Sequence, residues 1–367
     1  MNNIFKRRDD TMLKAQPLKK GDKVAIVSLS SGTLGESFCA HNLEIGTKRL
    51  EEMGLIPIFM PHALKGMDYV ANHPEKRAAD LKEAFSNPEM KGIICAIGGD
   101  DTYRTIPYLL DDPDFILSVK QQPKLFTGYS DTTVNHLMFY RLGLTTFYGP
   151  SFLTDLADIG PQMLPYTKEQ FLRYFGQGTT EDTRGSCIWY EERHDFSAAA
   201  IGEERIAHQE TNGPIWLQGQ PSITGVLLGG CLESLYDLVA GKRYSDEQTI
   251  NERYQLFPTK DEWAGKIVFL ETSEERPTPA LFKEMLFALK AHHVFEKAAG
   301  LIVGKPQNEV YWTAYQDILI EVIDDATFPI LYNLNFGHAY PRMILPYGVE
   351  VTIKEDGRMI FHENWFA

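Results

Sequence analysis

Three residues that could together cut an acyl bond stand far apart in the chain: Ser130 in GYSDTT, Glu271 in FLETSEE and His338 in NFGHAYP. Serine hydrolysis needs a base for the hydroxyl proton, a group to orient that base, and N–H donors for the oxyanion. Ser130 follows the apolar run 124–127. Apolar residues then return with helical spacing at Val134, Leu137, Met138 and Leu142, and Gly128 permits a sharp bend between the two. The serine is therefore expected on a strand-to-helix turn, at a helix N-terminus where free N–H groups favour negative charge. Glu271 and His338 each follow an apolar run, and Gly337 leaves the backbone free to present the imidazole. The oxyanion donors would be the N–H of Asp131 and one from the Gly98-Gly99 turn.

Each feature also has a plainer reading at this level. Ser130 or Asp131 could cap the helix that follows, and Glu271 could be one solvated acid beside Glu274 and Glu275. His338 could be a hydrogen-bonded structural histidine, and the GGDD stretch at 98–101 only a turn.

The elements that must position these residues alternate through the first third. Strands are expected at 22–28, 56–59, 92–97 and 124–127, with helices at 42–53, 76–85, near 102–110 and from Thr132. This rhythm predicts a parallel sheet with helices on both faces and ligands at the C-terminal strand ends. From about 153 to 221 the pattern weakens into a long connection carrying two isolated tryptophans, Trp189 and Trp216; Trp189 reads as core. Strands return at 266–270, 300–304, 329–332 and 349–353, with a strand and helix or helices over 223–239 and a helix over 277–293. The domain organisation read from this is an N-terminal α/β domain over 1–155, a connection or substrate loop over 156–221, and a β-rich C-terminal domain over 222–367.

Composition narrows the chemistry. With 36 Lys and Arg against 50 Asp and Glu in 367 residues, the formal net charge of −14 argues against nucleic-acid or anionic-membrane partners. No apolar stretch is long enough for a spanning helix, and the basic start has no apolar segment behind it, so a cytoplasmic protein is expected. Cys39, Cys95, Cys187 and Cys231 are scattered without a C-x-x-C pair, and Cys95 and Cys231 read as core thiols. There is no H-E-x-x-H, and the His292-His293 doublet faces apart on its helix, so a zinc site is not expected.

Taken together, IGGDDTYRTIPYL at 97–109, GYSDTT at 128–133, TFYGPSF at 146–152, GVLLGGCLESL at 225–235, FLETSEE at 269–275, GKPQ at 304–307 and NFGHAYPRMILPYG at 335–348 resemble the LD-carboxypeptidase family of serine peptidases, particularly its microcin C immunity branch. The resemblance spans about residues 20 to 360. It implies a Rossmann- or flavodoxin-like N-terminal domain bearing the nucleophile elbow, and a β-rich C-terminal domain bearing Glu and His. By the same resemblance Ser130 is the nucleophile, His338 the general base and Glu271 the acid that orients it, with Asp131, Gly98 and Gly99 lining the oxyanion hole at a domain interface. Homodimers are common in the family, and the resemblance implies no metal or organic cofactor.

The resemblance offers two substrates. LD-carboxypeptidases remove the terminal D-alanine of a muropeptide tetrapeptide, whereas the immunity branch cleaves the amide joining a C-terminal aspartate to an adenylate-like group. The long connection favours the second, with Trp216 stacking on the nucleobase and Asp100 and Lys305 as further substrate contacts. IGGDD departs from the muropeptide enzymes, which tend to carry an arginine before the glycines and an aromatic residue after them. Two other classes stay in view. GGDDT resembles the GGDGT loop of NAD kinase-like phosphotransferases, and a ligand-sequestering protein could keep the three residues without turnover.

Overall fold

The structure, a computed structural model, describes residues 11–180 and 182–367. The basic amino-terminal tail falls largely outside the described residues. The chain forms two units: one runs up to Gln177 and takes in Arg193–Glu204 and Trp365–Ala367, and the other comprises Gly178–Glu192 and Arg205–Asn364.

In the first unit, short apolar runs become strands, and β4 and β5 are buried throughout while the edge strand β2 stays partly exposed, as a helix-covered parallel sheet allows at its rim. They are β1 (Lys23–Val27), β2 (Ile56–Phe59), β3 (Met90–Cys95), β4 (Leu125–Gly128) and the two-residue β5 (Phe147–Tyr148). β1 lies between β2 and β3, β4 pairs with β3 and β5 with β4, all in parallel. Chain order therefore reverses between β1 and β3, the kind of switch point at whose carboxyl ends ligands bind in open α/β sheets. Helices α1 (Ala40–Glu52), α2 (Met67–Asn72), α3 (Pro74–Ser86), α4 (Ile106–Leu110), α5 (Pro113–Gln121), α6 (Thr132–Leu142) and α7 (Pro165–Leu172) complete the unit. All eleven residues of α6 are buried, so the helix that follows Ser130 is a core element rather than a surface one.

The last three residues return to this unit. The Ala367 N–H donates to the Ala15 carbonyl (2.9 Å), and the Trp365 ring lies 5.9 Å from that of Phe147 with the Arg173 guanidinium 5.8 Å away on its face. Phe366 meets the same Phe147 ring at 5.3 Å.

The second unit opens with the antiparallel pair β6 (Ile188–Tyr190) and β7 (Ala207–Gln209), then β8 (Ile215–Gln218). Its sheet is built on four parallel strands, β9 (Ile223–Cys231), β10 (Lys266–Glu271), β11 (Gly300–Gly304) and β12 (Ile330–Leu334). The short β13 (Leu345–Pro346) precedes β14 (Glu350–Ile353) and β15 (Met359–Phe361). β14 and β15 extend the β9 edge in antiparallel sense, and β8 closes the β12 edge. Helices α8 (Leu232–Ala240), α9 (Glu247–Tyr254), α10 (Lys260–Trp263), α11 (Pro279–Ala291) and α12 (Trp312–Ile323) belong to it. The segment 223–239 thus resolves as a strand followed by a helix. The expected class is present: an α/β unit with a parallel sheet and a second, β-rich unit. Among the described residues no helix is long and apolar enough to cross a membrane.

Candidate active site

β4 ends at Gly128 and α6 starts at Thr132, so residues 129–131 must reverse the chain within one turn. Ser130 does this with φ of 65°, a left-handed conformation that costs a non-glycine residue energy and is kept only where the surroundings impose it. Its N–H donates to the Tyr148 hydroxyl (3.1 Å), and its carbonyl accepts from the Thr133 N–H (2.9 Å) and hydroxyl (2.7 Å). Among the described residues of its unit the Ser130 hydroxyl makes no hydrogen bond, and the helix N-cap, Asp131, makes no side-chain cap bond. The plain capping readings are therefore not what these two side chains do.

Gly98 is the residue that lets the next loop approach the serine. A Cβ there would lie 2.6 Å from Ser130 Cβ and 2.8 Å from its Oγ. At Gly99 a Cβ would fall 2.2 Å from Ser30 Oγ. Among the described residues, no acceptor sits on the N–H groups of Gly98, Gly99 or Asp131, the donors named from the sequence for an oxyanion.

The loops are knitted by groups the sequence reading passed over. The buried Asp131 carboxylate accepts from the Ser30 hydroxyl (2.6 Å) and the Thr102 N–H (2.8 Å). Burial lifts its pKa to about 6, against the two hydrogen bonds that favour the charged form. Arg77 on α3, 1% exposed, grips Asp101 through two N–H groups (2.6 and 3.2 Å) and the Leu29 carbonyl (3.1 Å). Asp100, beside them, is exposed.

In the second unit Glu271 is the last residue of β10 and His338 lies just beyond β12. The Glu271 carboxylate accepts from the His338 backbone N–H (3.0 Å) and lies 2.8 Å from its Nδ1. Gly337 makes this possible: with φ of 82°, a Cβ there would fall 2.3 Å from the carboxylate carbon. Arg342, buried, donates from Nε to the Gly337 carbonyl and from NH2 to that of His338 (3.3 Å), holding the turn from behind. The His338 Nε2 lies 2.9 Å from a carboxylate oxygen of Glu274. Carboxylates only accept, so a ring between two of them is an imidazolium. Burial works against that charge, but the charges and hydrogen bonds of Glu271 and Glu274 outweigh it and raise the His338 pKa to about 10.

Cys231, paired with Glu271 in the β9–β10 register, brings a ligand atom to within 4.8 Å of atoms of Glu271 and His338. Its thiol donates to Glu233 (3.4 Å), and burial, with the neighbouring carboxylates Glu233 and Glu271, pushes its pKa well up. Within the cluster the imidazole is bonded to Glu271, while the thiol is turned to Glu233.

The remaining candidates lie around β8, β6 and β11. Trp216 on β8 is half-buried, its indole N–H donating to the Glu355 carbonyl (2.9 Å). Trp189 is buried and stacked on His208 at 4.2 Å. The Lys305 side chain is fully buried, its ammonium 2.6 Å from Glu309, 3.0 Å from Glu210 and 4.9 Å from the Trp189 and Trp312 ring centres. Its charge is spent on protein carboxylates. Lys305→Met is accordingly expected to destabilise the protein by about 3 kcal/mol, because it strands the largely buried Glu210 carboxylate; urea unfolding of the purified variant measures this, and an unchanged midpoint would refute it.

A serine on a strained corner beside N–H donors, and an imidazole backed by a buried carboxylate, supply the parts of acyl-transfer chemistry. Residues 24–149 match the LD-carboxypeptidase N-terminal domain and residues 224–353 the LD-carboxypeptidase C-terminal domain. The chain belongs to the LD-carboxypeptidase family and is a serine peptidase. Among curated relatives, the microcin C7 self-immunity protein MccF of Escherichia coli is 27% identical over 361 residues, covering 95% of each chain. A Bacillus subtilis protein named probable murein peptide carboxypeptidase is 27% identical over 347 residues, covering 93% of this chain and 91% of that one. A solved MccF-like protein from Streptococcus pneumoniae, in complex with AMP, superposes with a TM-score of 0.90 at 46% identity and covers 93% of this chain and 98% of its own.

Proposed function

We propose that the protein hydrolyses the amide between a C-terminal aspartate and an adenylate-like group, with Ser130 as nucleophile, His338 as general base and Glu271 as its orienting acid. The observation that carries the nucleotide side is the AMP complex of the MccF-like relative, which is 46% identical over nearly the whole chain. In this reading Ser130 Oγ attacks the acyl carbon while its proton passes to His338 Nε2. The imidazolium then protonates the departing nitrogen, and water releases the acyl-enzyme by the same route. The N–H groups of Asp131 and of the Gly98-Gly99 turn would hold the oxyanion; losing one such donor typically costs about a hundred- to a thousandfold in rate.

A base on the connection adds affinity by stacking, about 1–3 kcal/mol per aromatic contact, and this reading gives that role to Trp216. A cytoplasmic homodimer fits the same picture.

The test offers the purified enzyme two substrates, aspartyl sulfamoyl adenosine and a muropeptide tetrapeptide, with products read by mass spectrometry. Free aspartate and sulfamoyl adenosine are the expected products. Release of D-alanine instead would move the enzyme to the muropeptide branch, and no turnover of either would remove the catalytic reading.

A further inference from the structure

We propose that Glu274 recognises an ammonium group on the acyl part of the substrate, and that its engagement there frees His338 Nε2 to act as base. The inference rests on the roles given above to Ser130, His338 and Glu271 and adds to them a residue that selects the substrate's charge.

Glu271 holds Nδ1, which leaves Nε2 as the only ring nitrogen able to take a serine proton, and that nitrogen is where Glu274 sits (2.9 Å). While it stays there the ring keeps its proton and cannot serve as a base. The three side chains differ in access: Glu271 is 0% and His338 6% exposed, whereas Glu274 is 63% exposed. Glu274 is therefore the member of the group that an incoming ligand meets.

The loop beneath it is built, not loose. Ser273 donates its N–H (2.8 Å) and hydroxyl (2.7 Å) to the buried Glu233 of α8, the Glu275 N–H returns to the Ser273 hydroxyl (3.2 Å), and Arg276 donates to Gln307 (3.0 Å). With both flanks anchored, the Glu274 carboxylate leaves Nε2 by side-chain rotation alone. Among the described residues, the other charged or titratable groups beside His338 include Glu271 from β10, Cys231 from the end of β9 and Arg342 from the following turn. Arg342, the one permanent cation among them, is directed to the Gly337 and His338 carbonyls.

What displaces a carboxylate from an imidazolium is a better-placed cation. In an aminoacyl amide the α-ammonium is one carbon from the carbonyl that Ser130 would attack, within reach of a carboxylate stationed at Nε2. As Glu274 turns to the ammonium, the Nε2 proton passes to solvent, Nδ1–H stays on Glu271, and the Nε2 lone pair accepts the Ser130 proton. A substrate bearing an anion at that position meets repulsion instead.

The test uses the Ser130→Ala protein, which binds without turnover, and two probes: aspartyl sulfamoyl adenosine with its amine free or N-acetylated. Calorimetry is expected to show the free amine bound about tenfold to a hundredfold more tightly, the range for a charge-assisted hydrogen bond. Glu274→Gln in the same protein should remove that preference. In the protein with Ser130 intact, E274Q should also move the rise of kcat/KM for the acetylated probe to lower pH, since one of the two carboxylates holding the imidazolium is gone. A preference that survives E274Q, equal weakening of both probes, or binding of neither overturns the proposal. Preference lost with E274Q in a protein that never hydrolyses the probe would leave the ammonium site standing and remove the catalytic reading instead.

Discussion

Ser130→Gly is expected to be more stable than Ser130→Ala by about 1 kcal/mol, while both lose turnover by about four to six orders of magnitude. Both variants lack the hydroxyl, so the loss of activity follows from the nucleophile role proposed for Ser130 and does not separate them. Stability does. Ser130 sits at φ of 65°, where alanine keeps the clash between Cβ and the neighbouring carbonyl and glycine has none. Part of that relief is offset because glycine has more freedom to lose on folding. Paired urea unfolding curves measure the difference; equal midpoints would show that the corner is not strained. The turn would then hold Ser130 at no conformational cost, contrary to what the backbone implies.

Gly337→Ala is expected to destabilise the protein by about 2–4 kcal/mol and to lower kcat by about 10³- to 10⁴-fold, the range for a base that loses its orienting carboxylate. A methyl there would fall 2.3 Å from the Glu271 carboxylate at a φ of 82°. The carboxylate must move, and both its bonds to His338 go with it. The effect carries a pH signature. The folded His338 pKa stands at about 10 against an ordinary 6.5, so the stabilisation it brings is fully present below about pH 6.5 and is lost as pH rises through about 10. The gap between wild type and Gly337→Ala should therefore be widest near pH 6 and narrow by pH 10. A gap independent of pH would separate the steric damage from the imidazolium.

Much of the fold was legible where the signal is local. β2 and β11 fall at 56–59 and 300–304 as read, because short apolar runs bounded by Gly or Pro leave few other choices. The Ser130 corner was legible for the same reason. α5 was not read, although Asp112 and Pro113 announce it: Asp112 accepts the N–H groups of Asp114 and Phe115, and proline takes the first helical position. What stayed hidden depends on partners far along the chain. Arg77 lies in EKRAAD, which reads as a solvated helix face, yet it is buried on Asp101. Glu274 looked like one of several surface acids, and nothing within the chain near it points to His338. Lys305 follows a strand end, where a ligand contact is the natural expectation, and only the fold brings Glu210 and Trp189 to it.

The return of Trp365–Ala367 to the first unit has a consequence for biosynthesis. A chain made from its amino end exposes Phe147 and Arg173 long before the ring that packs against them exists. The sheet that leads to Ser130 leaves the ribosome without the Trp365 and Phe366 rings on Phe147, and it receives them only after every strand of the second unit has been translated. Completion of the unit that carries Ser130 is thereby tied in time to completion of the unit that carries His338.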